Sequence, residues 1–91
     1  MSESTQIKLI KELDVTDLSG EKVMVDFESG NYFLLKGVAN DIWEYIQSPI
    51  TIGEIKDKLL SEYEVDETTC LREVQKFIRQ LFEYKFVELS E

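Results

Sequence analysis

Between Lys22 and Ile46 the period of the apolar residues lengthens from two to between three and four, so sheet and helix must sit side by side in this chain. Lys22 to Phe27 alternates, with Val23, Val25 and Phe27 on one face and Met24 and Asp26 on the other, the pattern of a half-buried strand. Glu28-Ser29-Gly30 supplies a short loop whose glycine can take positive φ, and Asn31 to Leu35 then returns antiparallel. Upstream, Leu13, Val15 and Leu18 before the Ser19-Gly20 turn signal predict a strand that precedes both. Ile7 to Ile10 reads equally as a short strand or a flexible arm. Met1 to Gln6 is polar and is expected to be disordered.

After Lys36-Gly37 the helical period takes over. Val38, Ala39, Ile42, Trp43 and Ile46 share one face, and Pro49 prevents continuation, which predicts a helix from about Val38 to Gln47. Thr51 followed by Glu54 is a capping box that opens a second helix, with Ile52, Ile55, Leu59 and Tyr63 as its expected buried stripe. Asp66 caps a third helix running to about Tyr84, with Glu67 placed against the positive end of its dipole. Phe86-Val87-Glu88-Leu89 predicts a short closing strand. The expectation is one α+β domain over residues 1–91, a three-stranded antiparallel sheet followed by three helices. With its brief Glu64-Val65-Asp66 link, this is the outline of a winged helix-turn-helix.

Composition narrows the chemistry. A chain of 91 residues is too small to spare core for an enclosed catalytic cavity, and a shallow groove fits it better. Histidine is absent and Cys70 is the single thiol, so the commonest general base and any thiolate metal set are missing; no cofactor, metal or catalytic residue is expected. The many Asp and Glu read as solvated surface, and Cys70 as a small buried hydrophobe whose thiol burial makes harder to ionise. A net charge of −9 repels a phosphate backbone, which argues against nucleic acid. No stretch approaches the roughly 20 apolar residues needed to span a bilayer, and a cytoplasmic protein with no membrane partner is expected.

The apolar residues nevertheless exceed what a small core needs. On the third strand Phe33 and Leu35 share one side and Tyr32 and Leu34 the other, so large apolar groups stay uncovered whichever side meets the helices. On the third helix Cys70, Val74, Phe77 and Leu81 form one face and Arg72, Lys76 and Arg79 the opposite one. Leu71, Gln75, Ile78 and Phe82 occupy a flank that either lines a groove or merely extends the core. If the third strand is also a sheet edge, its free N–H and C=O groups can accept an extended peptide, with the helix flank taking up side chains.

Three stretches, "GNYFLLKGVANDIWEYI", "TIGEIKDKLLSEYEVD" and "EVQKFIRQLFEYKFVEL", together resemble the PqqD-like family, the RiPP recognition elements, over about Val23 to Leu89. The family often has Asn where Lys36 stands here. The resemblance implies a small non-catalytic protein that binds the leader segment of a ribosomally made precursor peptide as an added strand, between the third strand and the third helix, and presents it to modifying enzymes. Carried onto matching positions, it implies a peptide-binding set of Tyr32, Phe33, Leu34, Leu71, Gln75, Ile78 and Phe82, with Arg79 near enough to meet an acidic leader residue. A domain of this size is similar to the discrete leader-binding proteins of lasso-peptide pathways, whose partners are a leader peptidase and a cyclase. It is also similar to PqqD itself, which partners a radical SAM enzyme. The order of elements equally allows a DNA-binding winged helix, a reading the acidic surface opposes.

Overall fold

The computed structural model describes residues 1–11, 13–19 and 21–91. Strands β1 (Gln6–Leu9), β2 (Asp14–Leu18), β3 (Glu21–Asp26) and β4 (Asn31–Leu35) precede helix α1 (Val38–Tyr45). The two-residue strand β5 (Ile50–Thr51), α2 (Ile52–Glu62), α3 (Glu67–Glu83) and β6 (Val87–Ser90) follow. The expected antiparallel meander is β2-β3-β4, in register with Val15 opposite Met24 and Met24 opposite Phe33. Ser19 turns β2 into β3 at φ 54, and the glycine of that turn signal lies outside the described residues.

A second antiparallel sheet, ordered β5-β1-β6, was not foreseen as a sheet. The undecided segment at Ile7 is its central strand, and the closing strand pairs with it through Ile7 opposite Leu89 and Leu9 opposite Val87. The polar N-terminus is therefore engaged rather than disordered. Thr5 is buried and donates from its hydroxyl to Glu91 at 2.7 Å, and its carbonyl accepts from the Ile52 amide at 3.0 Å. Polarity misleads here because the hydrogen-bond partners are supplied from the far end of the chain.

The helices begin as their capping residues dictate. Thr51 accepts from the Glu54 amide at 3.2 Å while the Glu54 carboxylate accepts from the Thr51 amide at 3.0 Å, and Asp66 accepts from the Thr69 amide at 3.1 Å. Gly37, at φ 57, turns β4 into α1; nothing crowds its missing side chain, so glycine is needed there for its backbone conformation. Helix α1 stops at Tyr45, slightly short of the expected end.

One continuous core joins Ile7, Met24, Leu35, Ile42, Ile55, Val74 and Phe86 with their neighbours. Its membership departs from the expected helix stripes at three places. Tyr63 lies just past α2 in extended backbone, half-exposed, with its phenol donating to Asp41. Lys56 takes a buried place on α2, its ammonium held by Glu3 and Glu67. Ile78 is fully buried beside Cys70, Val74 and Leu81, while Phe77 is only partly covered. Helix α3 packs on β6 as well as on α2, so its buried stripe is rotated toward the second sheet.

Candidate functional site

Four strands lie at sheet edges, and their chemistry separates them. β2 carries Asp14 and Asp17, β6 carries Glu88, and β5 is two residues long. β4, Asn-Tyr-Phe-Leu-Leu, is bonded on one side to β3 and has no strand on the other among the described residues. Charged side chains on an edge discourage pairing with another chain, and β4 has none. Its free row of main-chain donors and acceptors is an unprotected template for an extended peptide.

Alternation fixes what each face of β4 offers. Phe33 and Leu35 point to the core side, Leu35 being fully buried, while Tyr32 is 75% and Leu34 48% exposed. Tyr32 and Leu34 sit opposite Val25 and Val23, so the outer face of this sheet is apolar, and Phe27 extends it at 76% exposed. Val23 and Val25, the most regular alternation in the sequence, thus face outward, and the inward positions go to Met24 and Asp26. Asp26 tolerates burial because Lys11 approaches to 2.9 Å and the Ser29 hydroxyl donates at 2.8 Å. These partners hold its carboxyl below the usual range, Lys11 acting most strongly.

Beside the β4 edge runs a groove floored by α3. Its inner recess, about 150 Å³, is walled by Met24, Phe33, Phe77, Leu81 and Tyr84, with Gln80 at the rim. Tyr84 meets the Phe33 ring edge-on at 4.8 Å, and Phe86 backs both rings. A neighbouring recess of about 290 Å³ continues past Phe77 and Gln80 to Val38 and Ala39 of α1, bordered by Lys36, Glu73 and Lys76. Lys36 pairs loosely with Glu21 at 3.8 Å, whereas Lys76 has no carboxylate within 4 Å among the described residues. A larger recess of about 660 Å³ lies at Lys11, Asp26, Trp43 and Gln47, where Lys11 and Asp26 are already paired with each other.

The expected site residues fall in different places. Tyr32, Phe33 and Leu34 lie along the free edge, with Phe33 inside the recess. Ile78 belongs to the core. Leu71 and Gln75 are partly covered, and the Gln75 amide donates to the Met1 carbonyl at 3.4 Å, away from β4. Phe82 and Arg79 are exposed and line neither recess. At about 100° per residue Gln75 and Phe82 stand roughly 160° around the helix from Phe77 and Tyr84. The core stripe of α3 has two flanks, and the one that meets Phe33 of β4 carries Phe77, Gln80 and Tyr84, with Lys76 farther round beside α1. Apolar content alone favours the other flank; the available signal for this one is the i, i+3, i+7 spacing of Phe77, Gln80 and Tyr84.

The remaining chemistry is spare. Cys70 is buried, and desolvation pushes its thiol pKa up, the setting of an inert structural cysteine. No group of His, Cys, Asp or Glu able to hold a metal occurs among the described residues. Among the described residues no helix is long and apolar enough to cross a membrane.

Comparison with known proteins places this geometry. Two solved structures share the fold with TM-scores of 0.76. One is TbiB1 in complex with the TbiA(beta) leader peptide, 28% identical, with 89% of this chain and 94% of that chain aligned. The other is lasso peptide synthetase B1 complexed with the leader peptide, 25% identical, with 90% of this chain and 96% of that chain aligned. No individually curated protein matches the chain at a significant level. The family model for coenzyme PQQ synthesis protein D (PqqD) matches residues 21–87, from the start of β3 into β6, and the chain belongs to that family.

Proposed function

We propose that this protein binds the leader region of a ribosomally synthesised precursor peptide by strand addition to β4, and presents it to the enzymes that modify the precursor. The observation that carries this reading is an uncharged sheet edge, with no strand beside it among the described residues, next to an apolar recess on α3. Main-chain bonds along β4 supply affinity that tolerates sequence, and the recess supplies selection. Four such bonds at a net of about 1 kcal/mol each, plus two buried anchors at about 1.5 to 3 kcal/mol each, give roughly 7 to 10 kcal/mol before ordering costs of a few. The remaining roughly 4 to 7 kcal/mol corresponds to Kd values from about millimolar to about ten micromolar.

The protein acts in this reading as a non-catalytic adaptor in the cytoplasm. The likeness to two leader-peptide complexes, one of them of a lasso peptide synthetase B1, favours a leader peptidase and a cyclase as the partner enzymes over a radical SAM partner. The site comprises the β4 edge at Tyr32, Phe33 and Leu34, together with the α3 flank of Phe77, Gln80 and Tyr84.

Backbone NMR during titration tests it, with the TbiA(beta) leader peptide and the N-terminal segments of short precursors encoded beside this gene as probes. Saturable binding with amide shifts centred on residues 31–35 and 76–84, plus slowed exchange of the outward β4 amides, is the expected result. Shifts centred on β2 or on the Gln75–Phe82 flank, or no binding by any probe, would refute the reading.

A further inference from the structure

The groove holds two recesses, and their spacing and charge differ in a way that defines a sequence preference. The inner one is closed by three aromatic rings and two aliphatic side chains, at about 150 Å³ the scale of one bulky apolar residue. The next combines an apolar floor, Val38, Ala39 and Ile42, with two ammonium groups and one carboxylate at its rim. The helix residues of the outer recess, Glu73, Lys76, Phe77 and Gln80, precede those of the inner one, Phe77, Gln80, Leu81 and Tyr84, by four positions each, one helical turn or about 6 Å. Side chains on one face of an extended peptide recur every two residues, at about 6.6 to 6.8 Å. A strand added to β4 therefore delivers consecutive inward-facing residues into consecutive recesses.

Charge then sets the second position. Lys11, Lys22 and Lys56 form close ion pairs within the fold, and Lys36 has Glu21 at 3.8 Å. Lys76 has no such partner among the described residues, although Glu73 borders the same recess. The Gln80 amide, which lines both recesses, adds a hydrogen-bond donor. An entering carboxylate can lay its methylenes on Val38 and Ala39 and meet the Lys76 ammonium, assisted by Lys36.

Resting on the leader-binding reading, we infer that the groove selects peptides with a bulky apolar residue followed or preceded, two positions away, by Asp or Glu. The apolar residue fills the Phe33–Phe77–Tyr84 recess and the acid pairs with Lys76.

Selection of a random 12-residue display library on the immobilised full chain tests this. Wild-type protein is expected to enrich an apolar residue with Asp or Glu at the second position from it. Lys76→Glu is expected to replace the acid by Lys or Arg while keeping the apolar residue. For a synthetic consensus peptide, Lys76→Glu weakens binding about three- to tenfold, and changing the peptide's acid to Lys restores it. Lys58→Glu on α2, which changes net charge equally but stands over Tyr45 instead of the groove, leaves the preference intact. Apolar enrichment without an acidic preference, or a preference unmoved by Lys76→Glu, overturns the inference while sparing the leader-binding reading. Absence of any apolar enrichment overturns both.

Discussion

Replacing Tyr84 by alanine should weaken peptide binding, and replacing Phe82 should not, although the two rings are almost equally exposed at 47% and 49%. They are two residues apart, hence roughly 160° around α3. Only Tyr84 closes the recess, edge-on to Phe33 at 4.8 Å. An aromatic residue offers about 150 to 250 Å² to burial, so near half exposure leaves roughly 100 Å² for a ligand to cover. If an incoming side chain covers half of that or more, the loss at about 25 cal/mol per Å² is roughly 1 to 2 kcal/mol. That corresponds to about 5- to 30-fold in Kd. Phe82→Ala, touching neither recess, should stay within about twofold by the same measure. Fluorescence anisotropy with the tightest library peptide reads both variants, and thermal melts establish that each is folded at the assay temperature. A larger loss from Phe82→Ala than from Tyr84→Ala would place the groove on the opposite flank of α3 and refute the site described above.

Ile78 is fully buried, so Ile78→Ala should cost about 2 to 5 kcal/mol and lower the melting temperature by ten degrees or more; an unchanged melt would contradict its place in the core. Ile78→Glu should therefore fail to give a folded protein, since it places an unpaired carboxylate in that core. The Asp26 carboxyl titrates lower folded than unfolded, so its contribution to stability is present above the unfolded value near 4 and is lost as pH falls through the folded one. Melting temperatures from pH 2 to 7 should consequently fall less steeply in acid for Asp26→Asn, though from a lower starting point, and parallel curves would remove Asp26 from the acid response. Gly37→Ala, forced to φ 57 and ψ −129, should cost about 1 to 3 kcal/mol in urea unfolding, and a neutral effect would show that the turn into α1 has another conformation available. Cys70 should react with a thiol reagent at the rate of unfolding, in keeping with its burial and raised pKa; rapid labelling of native protein would show the α2–α3 interface open.

Local sequence alone determined the meander, the three helices and their starting caps. Alternation, Gly30 and Gly37, the Thr51–Glu54 box and Asp66 each act over a few residues and need no partner from elsewhere. The surplus of apolar surface on β4 was equally legible, because a strand with large apolar groups on both sides cannot bury both in a chain this small. Three matters needed the tertiary structure: the second sheet, the inward face of β3 and which flank of α3 stays open beside β4. Ile7 finds its strand only through pairing with Ile50 and Leu89, distant in the chain, and that same sheet draws Ile78 inward and turns Phe77 and Tyr84 toward β4. Likewise Asp26 faces inward only because Lys11 is brought to meet it. A helical wheel ranks faces by apolarity, but which flank is open depends on what packs beside it, and that is decided by contacts between residues far apart in the chain.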